Sequence, residues 1–200
     1  MKKYVMVIAL LLAVVLCACK QQVGSGNANE APEVDKPVIY LYPEHPMDVH
    51  VELVFDGTLT TTYPRYRSGW NVTAEPDGTL TDMGTGRTYY CLFWEGVANK
   101  PYEINEGFVV AGTDTAAFLE DALEKLGLTE KEANEFIIYW LPRMEGNAYN
   151  LICFQQEQYI DSAVLKIEPQ PDSILRVFMT WKALEEPVEI KEQILTSLYY

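Results

Sequence analysis

The chain has 200 residues and a formal charge of −14, from 29 acidic and 15 basic side chains, with two histidines. A charge of that sign repels phosphate backbones and argues against nucleic acid as a partner. The length suits one domain with one sizeable core.

Met1-Lys2-Lys3 leads into an uncharged apolar run, Tyr4–Leu16. Charged then apolar is the order of a secretory signal, and the run is shorter than the roughly 20 residues a spanning helix needs. It ends in Leu16-Cys17-Ala18-Cys19, which resembles the lipobox of bacterial lipoproteins. That resemblance implies cleavage after Ala18 and a diacylglyceryl group on the Cys19 thiol. Loss of Lys2 and Lys3 takes the charge from −14 to −16. Two acyl chains hold a protein on a membrane where one does so only marginally. The segment Lys20–Asp35 is Gln, Gly, Ser, Asn, Ala and Glu with almost no large apolar residue, and reads as a tether. The expected organisation is therefore a signal peptide over 1–18, lipidated Cys19 and tether over 19–35, and one globular domain over 36–200.

Val38–Tyr42 is a short apolar run between Pro37 and Pro43, read as a strand. Val49–Phe55 alternates, with Val49, Val51, Leu53 and Phe55 on one face. Asp56-Gly57 then predicts a hairpin into Leu59–Tyr63. Pro76-Asp77-Gly78 predicts a second hairpin, between Trp70–Glu75 and Thr79–Asp82. Tyr89–Trp94 is apolar throughout and reads as a central strand. Phe118, Leu119, Ala122, Leu123 and Leu126 recur at helical spacing, with Thr113 or Asp114 as cap and Gly127 past the end. Thr129-Glu130-Lys131-Glu132 has the form of a capping box and predicts a short second helix to about Phe136. Strands are expected over Ile137–Leu141, Tyr149–Phe154, Ala163–Ile167 and Ile174–Lys182, with Pro142–Asn147 as a loop. In the last strand Leu175, Val177, Met179 and Trp181 share a face. Runs of strands with a segregated helix pair argue an α+β fold, an antiparallel β-rich domain with two helices.

Two long strings carry a resemblance. One is Lys36-Pro37-Val38-Ile39-Tyr40-Leu41-Tyr42-Pro43-Glu44. The other is Asn134-Glu135-Phe136-Ile137-Ile138-Tyr139-Trp140-Leu141-Pro142-Arg143-Met144-Glu145. With Trp70–Ala74, Tyr149–Ile152 and Pro171-Asp172-Ser173, they resemble an uncharacterised family of bacterial, clostridial-type surface lipoproteins and secreted proteins. The resemblance implies a surface location and carries no catalytic residue. It also implies that relatives continue past this ending, so that Thr196–Tyr200 forms a shortened edge.

Cys91 and Cys153 lie in apolar runs. A disulfide between them would close a loop of about 60 residues and stabilise by about 4 kcal/mol in the chain-entropy model. Free buried thiols fit equally well. His45 and His50 read as surface residues, and the chain has no G-x-S-x-G or H-E-x-x-H motif. Asp48, Asp56, Asp77, Asp82 and Asp114 could offer oxygen ligands, but none forms an EF-hand pattern. No metal or cofactor is implied. The acidic residues include Glu95, Glu103, Glu106 and Glu145, from which a carboxylate pair could be drawn for glycoside hydrolysis.

The segment Tyr63-Pro64-Arg65-Tyr66-Arg67-Ser68-Gly69-Trp70 crowds aromatic rings and arginines into one loop of an acidic chain, the composition of contact hot spots. Tyr63, Arg65, Tyr66, Arg67 and Trp70 are therefore candidate binding residues, with Arg143, near Tyr149, a second locus. The competing reading puts Tyr63 and Trp70 in the core at strand ends, with the arginines paired to carboxylates. Trp140 and Trp181 read as core. The expectation is a lipid-anchored envelope component, non-enzymatic, that meets a protein, peptide or glycan. The alternative is a wall-polymer hydrolase with paired carboxylates.

Overall fold

The computed structural model describes residues 33–199. The expected signal, Cys19 and most of the expected tether segment lie outside the described residues. In chain order the elements are β1 (Glu33–Val34), β2 (Val38–Tyr42), β3 (Met47–Phe55), β4 (Gly57–Tyr63), β5 (Trp70–Ala74), β6 (Leu80–Asp82), β7 (Thr88–Tyr89), β8 (Leu92–Ala98) and β9 (Glu106–Ala111). They continue with a 3₁₀ turn (Gly112–Asp114), α1 (Thr115–Lys125), α2 (Glu130–Met144), β10 (Tyr149–Phe154), α3 (Glu157–Ser162), β11 (Ala163–Glu168), β12 (Ser173–Val177), β13 (Met179–Leu184) and β14 (Lys191–Glu192).

Three sheets form. The first has β8 at its centre, between β4 on one side and β1 and β2 on the other, with β12 beyond β2. The second runs β11-β3-β5-β6-β7, and the third β13-β10-β9-β14. The β14–β9 pair is parallel and the other pairs are antiparallel. This is the α+β, antiparallel β-rich architecture expected, with α1 and α2 as the segregated pair and α3 as a further single helix.

Two apolar cores flank the first sheet. Ile39 and Leu41 of β2 face the second sheet and meet Val49, Val51, Leu53, Trp70 and Val72. Val38 and Tyr40 face the other way, onto Leu119, Leu123, Phe136, Trp140 and Ile152 of the helices and third sheet. Burial on both faces explains why Val38–Tyr42 has no polar alternation. β12 behaves likewise, with Ile174 in one core and Leu175 and Val177 in the other.

The second helix is longer than expected. α2 runs through Ile137–Leu141 and includes Pro142. Ala133, Phe136, Ile137, Trp140 and Met144 repeat at helical spacing and are buried, while Ile138 is 72% exposed. The run Phe136–Leu141 hid this period because both faces carry apolar residues. The capping box is formed: the Glu132 N–H donates to Thr129 Oγ1, and the Thr129 N–H donates to Glu132 Oε2 at 2.7 Å.

Asp56-Gly57 makes no hairpin. β3 pairs with β5 and β11, while β4 pairs with β8, so the chain changes sheet at this corner. The Asp56 N–H donates to the Ser162 carbonyl at 2.7 Å, and Asn99 donates through its N–H and Nδ2 to Asp56. A Cβ on Gly57 would stand 2.3 Å from the Val97 carbonyl oxygen, so glycine serves close approach here. The Pro76–Gly78 turn does form its hairpin, with Gly78 at φ +83. Ile174–Lys182 is two strands in two sheets, broken at the buried Phe178. Leu175, Val177, Met179 and Trp181 still share one core. Tyr89 and Leu92 fall in separate strands, because the chain breaks at Tyr90-Cys91. Near the end, Tyr199 bridges to Leu175, and the Leu198 N–H donates to the Leu126 carbonyl.

Candidate functional site, an exposed tyrosine and arginine surface

The 64–69 loop joins the first sheet to the second. Its return is set by Gly69 at φ +138, above which a Cβ would stand 2.3 Å from the His50 ring. Trp70 then enters the core at 1% exposure, and its Nε1 donates to the Pro64 carbonyl at 2.7 Å. Tyr66 meets the Trp70 ring edge-on at 4.6 Å, and its hydroxyl accepts from the Leu53 N–H at 3.1 Å. Tyr66 and Trp70 thus hold the loop shut. Trp70 is turned into the core, as the competing reading had it, and the partly buried Tyr66 ring packs against it.

The rest of the loop points outward. Tyr63 is 59% exposed, and Arg65 and Arg67 are exposed. The Tyr63 ring packs edge-on against Tyr89 of β7 at 5.2 Å. That contact brings in Arg87, also exposed, two residues before Tyr89. Arg67 lies close enough to Asp82 to help hold its carboxyl below the ordinary range, behind the larger effect of the Thr85 hydroxyl. Asp82 in turn accepts from the Thr85 N–H at 2.7 Å, and its own N–H donates to the Arg87 carbonyl. The ion pairs among the described residues are Lys125–Asp121, Lys166–Glu52 and Lys191–Glu106. None of these includes Arg65, Arg67 or Arg87, and Asp82 is the carboxylate whose charge Arg67 feels. Tyr89 and Arg87 were missed because they lie on and just before β7 of the second sheet, and a ring contact between the two sheets brings Tyr89 against Tyr63.

Arg143 belongs to a different place. Its guanidinium lies 4.0 Å from the Tyr139 ring centroid and donates to the Tyr139 carbonyl. Lys36 Nζ lies over the same ring at 4.7 Å and donates to the Glu135 carbonyl at 2.6 Å. The Tyr139 hydroxyl donates to Glu95 at 3.4 Å, and burial pushes its pKa up to about 12. The two long strings of the sequence meet here, Lys36 from one and Glu135, Tyr139 and Arg143 from the other. The arrangement fastens Lys36, just before β2, to the last turns of α2.

A Butyrivibrio fibrisolvens protein, the uncharacterized protein in bglA 3′ region, is 36% identical over 93 residues, covering 94% of that protein and 45% of this chain. The chain belongs to that protein's family. No family model and no solved structure matches it. The relationship agrees with an uncharacterised bacterial family and assigns no activity, so function in this family member is argued from its residues.

The other candidate groups are dispersed. Glu106 is paired with Lys191 at 2.7 Å, Glu95 reaches Tyr139, and Glu145 caps α2. Glu103 lines a groove of about 480 Å³ with Asp56, Lys100, Tyr102 and Asp161. His50 bonds Asn71 at 2.9 Å, and His45 is exposed. Asp48 accepts from Thr73, and Asp77 from the Thr79 N–H. Among the described residues no group of three or more His, Cys, Asp or Glu could hold a metal ion. Cys91 and Cys153 are free and buried. Burial pushes Cys91 up to about 12 and Cys153 up to about 11, far from the thiolate a nucleophile needs. No helix of the described residues is long and apolar enough to cross a membrane.

Proposed function

We infer that the chain is a lipid-anchored protein working outside the cytoplasm, a non-enzymatic binding or structural component of the cell envelope. The apolar leader and Leu16-Cys17-Ala18-Cys19 support that address, with the membrane reached through lipid on Cys19. The partner is an envelope protein, peptide or glycan. One observation carries the binding role: exposed Tyr63, its ring against half-buried Tyr89, shares a segment with exposed Arg65 and Arg67, which make no ion pair among the described residues, on a chain of charge −14. Aromatic rings with arginine supply rigid contact area and a directional cation together.

The test is co-sedimentation of the full-length protein, in detergent, with membrane-stripped cell envelopes. Tyr63→Ala combined with Arg65→Ala and Arg67→Ala is expected to weaken retention by about tenfold or more, with an unaltered melting temperature. Undiminished retention would remove this surface from the account. Absence of any retention by the native protein would remove the binding role.

A further inference from the structure

We propose that the ligand of this surface is an anionic glycan, a polymer whose repeat carries phosphate or carboxylate on sugar rings. The proposal rests on the binding role above and names the ligand class. Three of the chain's five arginines, Arg65, Arg67 and Arg87, are exposed at this one end. Acidic side chains outnumber basic ones by 29 to 15, yet none lies within ion-pair distance of these three among the described residues. The nearby carboxylate, Asp82, is engaged by the Thr85 N–H and hydroxyl, each at 2.7 Å. The guanidinium forks are therefore left for an external anion. Their planar donors match phosphate and carboxylate in two-point contacts.

The rings add the second half of the recognition. Tyr63 precedes Arg65 by two residues, and Arg87 precedes Tyr89 by two. The Tyr63–Tyr89 contact joins these segments, each of which carries one ring and one exposed arginine. A polymer that alternates sugar ring and negative charge meets that pattern, stacking its sugar faces on tyrosine and its anions on arginine. The surrounding negative charge of the protein repels such a polymer elsewhere and confines it to this end.

The test uses the full chain in detergent and four immobilised polymers: a sugar-phosphate wall polymer, polygalacturonate, neutral dextran and polyglutamate. Retention on one or both anionic glycans is expected, and which of them binds separates phosphate from carboxylate. Retention should fall as salt rises. Arg65→Gln, Arg67→Gln and Arg87→Gln together should weaken it by about tenfold or more, with the melting temperature kept. Equal retention on dextran would overturn the anionic requirement, and equal retention on polyglutamate the glycan. No retention on either anionic glycan, or full retention by the arginine variant, would also overturn the proposal. If membrane-stripped envelopes still capture the protein through Tyr63 in those cases, the binding role stands and only the ligand class fails.

Discussion

Trp70 Nε1 donates to the Pro64 carbonyl across 2.7 Å, so the loop that carries two exposed arginines is closed from inside by the residue that follows it. Framework and contact roles in this loop can therefore be separated. Trp70→Ala is expected to cost about 3–5 kcal/mol, because a large buried ring is removed and a carbonyl loses its donor. Tyr63→Ala, at a mostly exposed ring, should change stability by no more than about 0.5 kcal/mol. Urea denaturation of both variants measures the contrast, and comparable losses would mean that Tyr63 is framework too.

Glu132 ties three parts of the fold together. Its carboxylate accepts from the Thr129 N–H and Oγ1, each at 2.7 Å, and from the Tyr42 hydroxyl of β2. Thr129→Ala should cost about 1 kcal/mol, the ordinary value of an N-cap, with Thr129→Ser restoring most of it. Glu132→Ala should cost about 3 kcal/mol, since Glu132 is buried and Tyr42 would be left without its acceptor. Equal losses at the two positions, read from denaturation midpoints, would contradict the bridging role.

What the sequence disclosed follows from how local each signal is. The Thr129–Glu132 capping box, the Gly127 helix end and the Pro76–Gly78 turn are decided by neighbouring residues, and all three form. Asp56-Gly57 has the same local form, but its fate depends on Ser162 and Asn99, more than 40 residues away, which hold a sheet-to-sheet corner. Ile137–Leu141 read as a strand because apolar residues on both helix faces masked the period. Of the candidate surface, Tyr63, Arg65 and Arg67 were legible as composition. Which rings turn inward, and the arrival of Arg87 and Tyr89, depend on the β4–β8 and β6–β7 pairings that no short spacing encodes.

Gly57 offers a check on that corner. Gly57→Ala would place a Cβ against the Val97 backbone oxygen and the Phe55 ring, neither of which can yield cheaply. A loss of about 2 kcal/mol is expected in thermal or urea unfolding. A neutral substitution would mean that the corner has room.

The buried thiols predict a pH dependence. Cys91 and Cys153 rise from 9.0 to about 12 and about 11, chiefly through burial, so the folded state holds their protons more tightly than the unfolded chain. Their contribution is complete below about pH 9 and is lost as pH rises toward 11 and 12, at up to about 1.4 kcal/mol per pH unit for each thiol. Tyr40 and Tyr42, also raised by burial, add losses above about pH 10. The urea midpoint should be level between about pH 6 and 8 and fall above 9, and Cys91→Ala should shallow the fall. A thiol reagent at neutral pH should leave both residues unmodified until the chain unfolds, and rapid labelling of the native protein would contradict the burial.

The address of the protein is tested most directly by the intact mass of native chain extracted from the membrane fraction. A polypeptide that begins at Cys19 and carries added acyl mass on that residue is expected. A mass matching the full chain from Met1, without lipid, would contradict it.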